Sequence, residues 1–127
     1  MSAEHYYRSK PSQRQLQVGL AIQRAVMEEL LMDEILYSRF SMISVSGVRM
    51  NSGLKSATIM FTISRDMTSK AKDILKSLKQ MSGYFRKVIA SRIDLRYVPE
   101  IAFEYDKAGS DVEILHDKLR KIHEAGE

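Results

Sequence analysis

The chain has 127 residues, 44% of them hydrophobic and 28% charged, which suits one domain with a core that needs no cross-links. It has no cysteine, so a disulfide framework, a thiolate metal site and a cysteine nucleophile are excluded. The net charge of +4 is uneven: residues 41–98 hold eleven basic and three acidic residues, and residues 99–127 hold four basic and eight acidic. A basic middle of that kind suits a polyanion-facing surface, though a merely solvated basic surface has the same composition.

Residues 1–11 are polar and are expected to form a flexible arm, with no signal-peptide core and no apolar run near the ~18 residues of a membrane helix. Ser12-Gln13-Arg14-Gln15 has capping-box spacing ahead of an apolar-periodic run. That predicts a helix from about Gln13 to Met32 with Val18, Ile22, Ala25, Val26 and Leu30 on its core stripe. Glu29 falls on the same stripe. Together with Glu28, Asp33 and Glu34 it makes the carbonyl end of the helix acidic, where cations are preferred.

Ser41 to Met50 reads as a strand whose alternation slips by one residue between Val45 and Val48, with Gly47 inside the slip. Such a slip predicts a β-bulge. Asn51-Ser52-Gly53 is expected to close a hairpin with the glycine at positive φ, and Leu54 to Ser64 to return as the second strand. Ala57, Ile59, Phe61 and Ile63 share one face of that strand, which implies a hairpin packed on helices. Asp66 to Ser69 is expected to cap a helix with Met67, Ala71, Ile74, Leu75 and Leu78 inward and Lys70, Lys72, Lys76 and Lys79 elsewhere.

The helical pattern breaks at Ser82-Gly83 and resumes on a shifted face, so a kink is expected there. Beyond it lie Tyr84, Phe85, Val88, Ile89 and Ile93 as an apolar side. Arg86, Lys87, Arg92 and Arg96 stand against only Asp94. Pro99 stops the helix and opens a third strand through Ile101, Phe103 and Tyr105. Ser110-Asp111-Val112-Glu113 is a second capping box, expected to start a terminal helix with Val112, Leu115, Leu119 and Ile122.

Little in the chain suggests catalysis. His5 lies in the arm, and His116 and His123 stand two helical turns apart, too far for the usual metal pair. There is no glycine-rich phosphate loop, no nucleophile elbow and no defensible carboxylate couple, so no catalytic residue, metal or cofactor is assigned.

An α-β-β-α-α-β order with two coupled helices before the last strand resembles the bacterial, type II KH domain, an α+β fold. KH domains clamp single-stranded nucleic acid with a Gly-x-x-Gly loop; this chain has Met81-Ser82-Gly83 at that joint. That replacement, with Leu95-Arg96-Tyr97-Val98-Pro99-Glu100 and Phe103-Glu104-Tyr105-Asp106, resembles the ribosome-binding factor A family. The opening Pro11-Ser12-Gln13-Arg14-Gln15-Leu16-Gln17-Val18-Gly19 and the strand Ile43-Ser44-Val45-Ser46-Gly47-Val48-Arg49-Met50 resemble it too. The resemblance runs from roughly Arg8 to Lys121. It departs from the family pattern at Met81, where alanine is expected, and after the first helix, where Asp-Pro is usual. The hairpin differs as well, with Asn51-Ser52-Gly53-Leu54 where Ser-Pro-Asp-Leu is commoner.

The resemblance implies a KH-like domain over 12–107 and a C-terminal helix and tail over 108–127. It implies a non-enzymatic, monomeric factor of the bacterial cytoplasm, with no membrane or small-molecule partner. Such a factor binds the maturing small ribosomal subunit and its rRNA, and supports late 5′-end processing and growth in the cold. The candidate RNA-binding residues are Ser82, Gly83, Arg86, Lys87, Arg92 and Arg96, with Lys79, Arg14 and Arg24 as further candidates. Two other classes stay open: a small α+β enzyme holding anions at Arg86, Lys87 or Arg96, and a protein-interaction module built on the acidic terminal helix.

Overall fold

Helix α1 (Gln13–Met32) starts where the sequence places it: the Ser12 hydroxyl accepts from the Gln15 N–H at 3.1 Å, and Gln15 Oε1 accepts from the Ser12 N–H at 2.7 Å. The computed structural model describes residues 10–109 together with Leu119, Arg120 and Ile122. Residues 1–9 of the arm, the three histidines and the second capping box lie outside the described residues. Val18, Ile22, Ala25, Val26 and Leu30 of α1 are buried, as their spacing requires.

Three strands form the sheet: β1 (Ile43–Met50), β2 (Ser56–Ile63) and β3 (Glu100–Tyr105), in the order β1-β2-β3. β1 runs antiparallel to β2 and β3 runs parallel to it. Cross-strand rows on one face are Val45–Phe61–Tyr105, Val48–Ile59–Phe103 and Met50–Ala57–Ile101. These rows explain the bulge. Ser46 is the extra residue between Val45 and Gly47, and without it Val48 and Met50 would turn to the opposite face.

The helices cover that face, with α1 on β1 and the later pair, α3 (Ala71–Gln80) and α4 (Ser82–Arg92), on β3. Contact between α1 and β1 is close. A Cβ built on Gly19 would stand 2.7 Å from the Val48 carbonyl oxygen. Gln15 and Gln23 donate their side-chain amides to the carbonyls of Met50 (3.1 Å) and Val45 (2.9 Å). Phe85 and Phe103 meet edge-on at 5.6 Å between centroids, and Phe61 and Tyr105 at 5.8 Å; such geometry adds to what area burial contributes.

Asp106, just beyond β3, is buried with its carboxylate engaged. It accepts from the Ser46 hydroxyl at 2.9 Å and from the Gly109 N–H at 2.9 Å.

Four local features differ from the sequence reading. A second helix, α2 (Glu34–Phe40), occupies the segment after α1; Asp33 caps it by accepting from the Leu36 N–H at 3.0 Å, and Leu36 and Phe40 are buried. In the hairpin the positive φ belongs to Leu54 (57°), and no glycine among the described residues has positive φ. Asn51 Oδ1 accepts from the N–H groups of Lys55 (2.8 Å) and Ser56 (3.1 Å), so the loop extends past Gly53 and the left-handed residue falls one later. Leu54 offsets the ~1–2 kcal/mol steric cost by packing on the core. Asp66 to Ser69 lies in a 3-10 turn (Arg65–Lys70), not at a side-chain cap: Asp66 and Thr68 bond within the turn, and α3 (Ala71–Gln80) begins uncapped. The fourth feature is the helix joint with the helix that follows it: that helix ends at Arg92, where Ile93 turns extended, and does not run on to Pro99, so Arg96 lies outside it.

Candidate nucleic-acid interface

Helices α3 and α4 (Ser82–Arg92) meet at Met81, immediately before Ser82-Gly83. The Met81 N–H bonds back to the Leu78 carbonyl at 3.0 Å, a tightened last turn that ends α3. The Ser82 hydroxyl then donates to the Lys79 carbonyl at 2.9 Å, which supplies the freed acceptor with a partner. Met81 itself packs partly against the core, and its sulfur accepts from Arg39 Nη1 at 3.9 Å. The thioether therefore leans toward the core and α2.

Residues 83, 86, 87 and 90 are exposed and follow i, i+3, i+4, i+7 spacing, so Gly83, Arg86, Lys87 and Ala90 form the outward stripe of α4. Phe85, Val88 and Ile89 are buried on the other side. Among the described residues, nothing beyond its own helical turn and chain neighbours lies within 4 Å of a Cβ built on Gly83. Lys87 makes no ion pair among the described residues. Arg86 donates from Nε to the Pro99 carbonyl at 3.2 Å and from Nη2 to the Val98 carbonyl at 3.1 Å, so it braces the segment before β3.

Arg92 turns the other way, onto α1. It donates to the Ala25 carbonyl at 3.2 Å, to Glu28 at 3.4 Å and, through Nη2, to Glu29. Tyr84 also donates its hydroxyl to Glu29, and that hydrogen bond, with burial and the carboxylate charge, pushes the Tyr84 pKa up to about 12. The acidic end of α1 thus has its cation, supplied by a different helix.

Lys79 lies on α3 with Lys72, Leu75, Lys76 and Gln80 around an open hollow. Lys72, Lys76 and Lys79 follow one another at i, i+4 and i+7, and none is ion-paired among the described residues. Arg14 and Arg24 are exposed on α1. Arg96 is exposed in the segment after α4, its guanidinium carbon 5.4 Å from the centre of the Tyr97 ring.

The structure therefore brings together Gly83, Arg86, Lys87 and the segment bearing Arg96, and sets Ser82 in the joint. Arg92 faces α1. The sequence reading did not single out Arg39, or Lys55, whose ammonium lies 6.0 Å from the same Tyr97 ring. Parallel pairing of β2 and β3 is what draws Lys55 to Tyr97, and no residue motif signals that pairing. Among the described residues there is no group of three or more metal-ligating side chains, and no helix long and apolar enough to cross a membrane.

The family model described as ribosome-binding factor A matches residues 14–119. The chain belongs to the ribosome-binding factor A family. Ribosome-binding factor A of Coxiella burnetii is 35% identical over 97 residues, spanning 76% of this chain and 79% of the relative. That of Halothermothrix orenii is 27% identical over 115 residues, spanning 91% and 93%. Among solved structures, a Thermotoga maritima protein described as a ribosome binding factor A candidate aligns with a TM-score of 0.62 at 27% identity, over 77% of this chain and 92% of that one. The crystal structure of ribosome-binding factor A from Thermus thermophilus aligns at 0.59 and 19% identity, over 72% and 94%, a likeness of fold. The fold is KH-like α+β, as the element order predicts, with α2 added to it.

Proposed function

We propose that this chain is a non-enzymatic assembly factor that binds the maturing small ribosomal subunit through its rRNA. The observation that supports this most is the set of lysines on the exposed faces of α3 and α4. Lys72, Lys76, Lys79 and Lys87 flank the Met81 joint, and none makes an ion pair among the described residues. Cations without internal partners are available to phosphates. Contacts to phosphate set affinity and orientation but carry no sequence information.

The mechanism follows from binding alone. Occupying one arrangement of immature rRNA more tightly than its alternatives shifts the population by the difference in affinity. Favouring a mature arrangement would support late processing of the rRNA 5′ end. The effect would be greatest in the cold, where RNA alternatives persist longest. The compartment is the bacterial cytoplasm, and the chain works there as a monomer. The sequence offers the enzyme reading no catalytic motif, and the interaction module depends on an expected terminal helix, most of whose residues lie outside the described ones.

Co-sedimentation with purified small subunits across a salt series tests the proposal. Replacing Lys79 and Lys87 together by alanine should weaken binding and reduce the slope of log affinity against log salt, by about 0.7–0.9 for each phosphate contact removed. Parent affinity and an unchanged slope in the double variant would overturn the placement. Failure of the parent to sediment with subunits would overturn the reading itself.

A further inference from the structure

Tyr97 is 56% exposed although it is held in a well-fixed segment. Arg86 grips the carbonyls of Val98 and Pro99, Pro99 is buried, and the Glu100 N–H donates to the Lys55 carbonyl at 2.9 Å. The ring is thus presented by a loop fixed at its base. Two cations approach it, Arg96 at 5.4 Å and Lys55 at 6.0 Å from the ring centre. Neither forms an ion pair with a carboxylate among the described residues. The hairpin loop delivers one cation and the segment after α4 the other, and the register that sets Ser56 beside Glu100 brings them together.

The Tyr97 ring stands outside the core, and its partners are the two cations that lie over it at cation–π distance. Beside it, two positive charges without carboxylate partners would repel each other in a site with no ligand. A single-stranded nucleotide answers both features: its base has a flat π-face for the ring, and its flanking phosphates neutralise the two cations. An acidic peptide would satisfy the charges and leave the ring face in water. A duplex keeps its bases stacked on one another and offers the ring only backbone.

We propose that Lys55, Arg96 and Tyr97 form a stacking site for one unpaired base of single-stranded RNA. The site would lie next to the outward stripe of α4, which it joins through Arg86, and it rests on the RNA-binding reading above. It adds a defined role to that reading. The lysines hold backbone, and Tyr97 requires that the RNA at this point be unpaired.

The test compares two labelled probes on the full chain by fluorescence anisotropy: a short single-stranded RNA of adenosines and uridines, and an abasic oligonucleotide of equal length and charge. Tyr97→Leu should weaken the base-bearing probe about tenfold, within the range that loss of one base–aromatic stack brings. Tyr97→Phe, which keeps the ring, should stay within about twofold of the parent. Neither change should alter binding of the abasic probe, whereas Lys55→Ala should weaken both probes. Equal losses on the two probes for Tyr97→Leu, or no loss on either, would overturn the stacking site while leaving RNA binding intact. A parent that binds neither probe would overturn the stacking site, while co-sedimentation with subunits separately decides the RNA-binding reading.

Discussion

Arg92, at the end of α4, closes its guanidinium on the carboxylate of Glu29 in α1, and the same group reaches the Ala25 carbonyl at 3.2 Å. One side chain therefore ties α4 to α1 and cancels a charge that the sequence presents as free. Replacing Arg92 by alanine leaves Glu29, which is only 15% exposed, without its ion pair. A loss of about 1–3 kcal/mol follows from removing charge-assisted bonds at a part-buried site, measurable by urea unfolding. The salt slope of subunit binding should stay at the parent value. Lys87→Ala should do the reverse, leaving stability within ~0.5 kcal/mol and flattening the slope. A flattened slope in Arg92→Ala with unchanged stability would return this residue to the RNA surface.

Tyr84 approaches Glu29 from the other side and makes this junction pH-sensitive through its own phenol. Its hydroxyl donates to Glu29, which holds the phenol pKa at about 12, above its ordinary value of 10.0. The protonated form is the one the fold favours. Its contribution is complete below pH 10 and is lost as pH rises toward 12, because the folded state keeps a proton that the unfolded chain releases. Parent stability should fall more steeply across that window than that of Tyr84→Phe, which cannot ionise there. Identical curves for the two proteins would exclude the bond to Glu29.

Several local patterns in the sequence were legible where one element determines its own shape, although the hairpin turn and the start of α3 were not among them. The Ser12–Gln15 box, the stripe of α1 and the slip between Val45 and Val48 each encode a feature of one segment, and each appears in the fold. Leu36 and Phe40 have a helical spacing, but the stretch is too short for periodicity to separate it from a linker. Tertiary packing decided it. The partners of Arg92 and Arg86 are equally hidden. A cation on an exposed-looking stretch reads as solvated or ligand-facing until the helix opposite is known. Thus the sequence located the helix joint to within a residue, but it could not distinguish bracing arginines from available lysines.

Gly19 is a packing requirement. A methyl group there would stand 2.7 Å from the Val48 carbonyl oxygen, a backbone atom of the bulged strand. Gly19→Ala must push α1 off β1 although alanine favours the helix by ~1 kcal/mol. The expected net effect is destabilisation of about 1–3 kcal/mol, as for overpacked cores, measured by urea unfolding. A variant as stable as the parent would mean that α1 can shift without cost.

Gly83 is the opposite case. Its φ is not positive and, among the described residues, nothing beyond its own helical turn and chain neighbours lies within 4 Å of a Cβ built there, so neither conformation nor internal packing requires glycine. Gly83→Ala should raise stability by up to ~1 kcal/mol, since alanine lowers the entropy of the unfolded chain and favours the helix. The position lies in the first turn of α4, where N–H groups are available to an anion. If RNA backbone approaches there, the added methyl should weaken subunit binding several-fold while the protein becomes more stable. Stability and affinity would then move in opposite directions, which a purely structural glycine cannot produce. Higher stability with parent affinity in the same salt series would show that RNA does not come close to this turn.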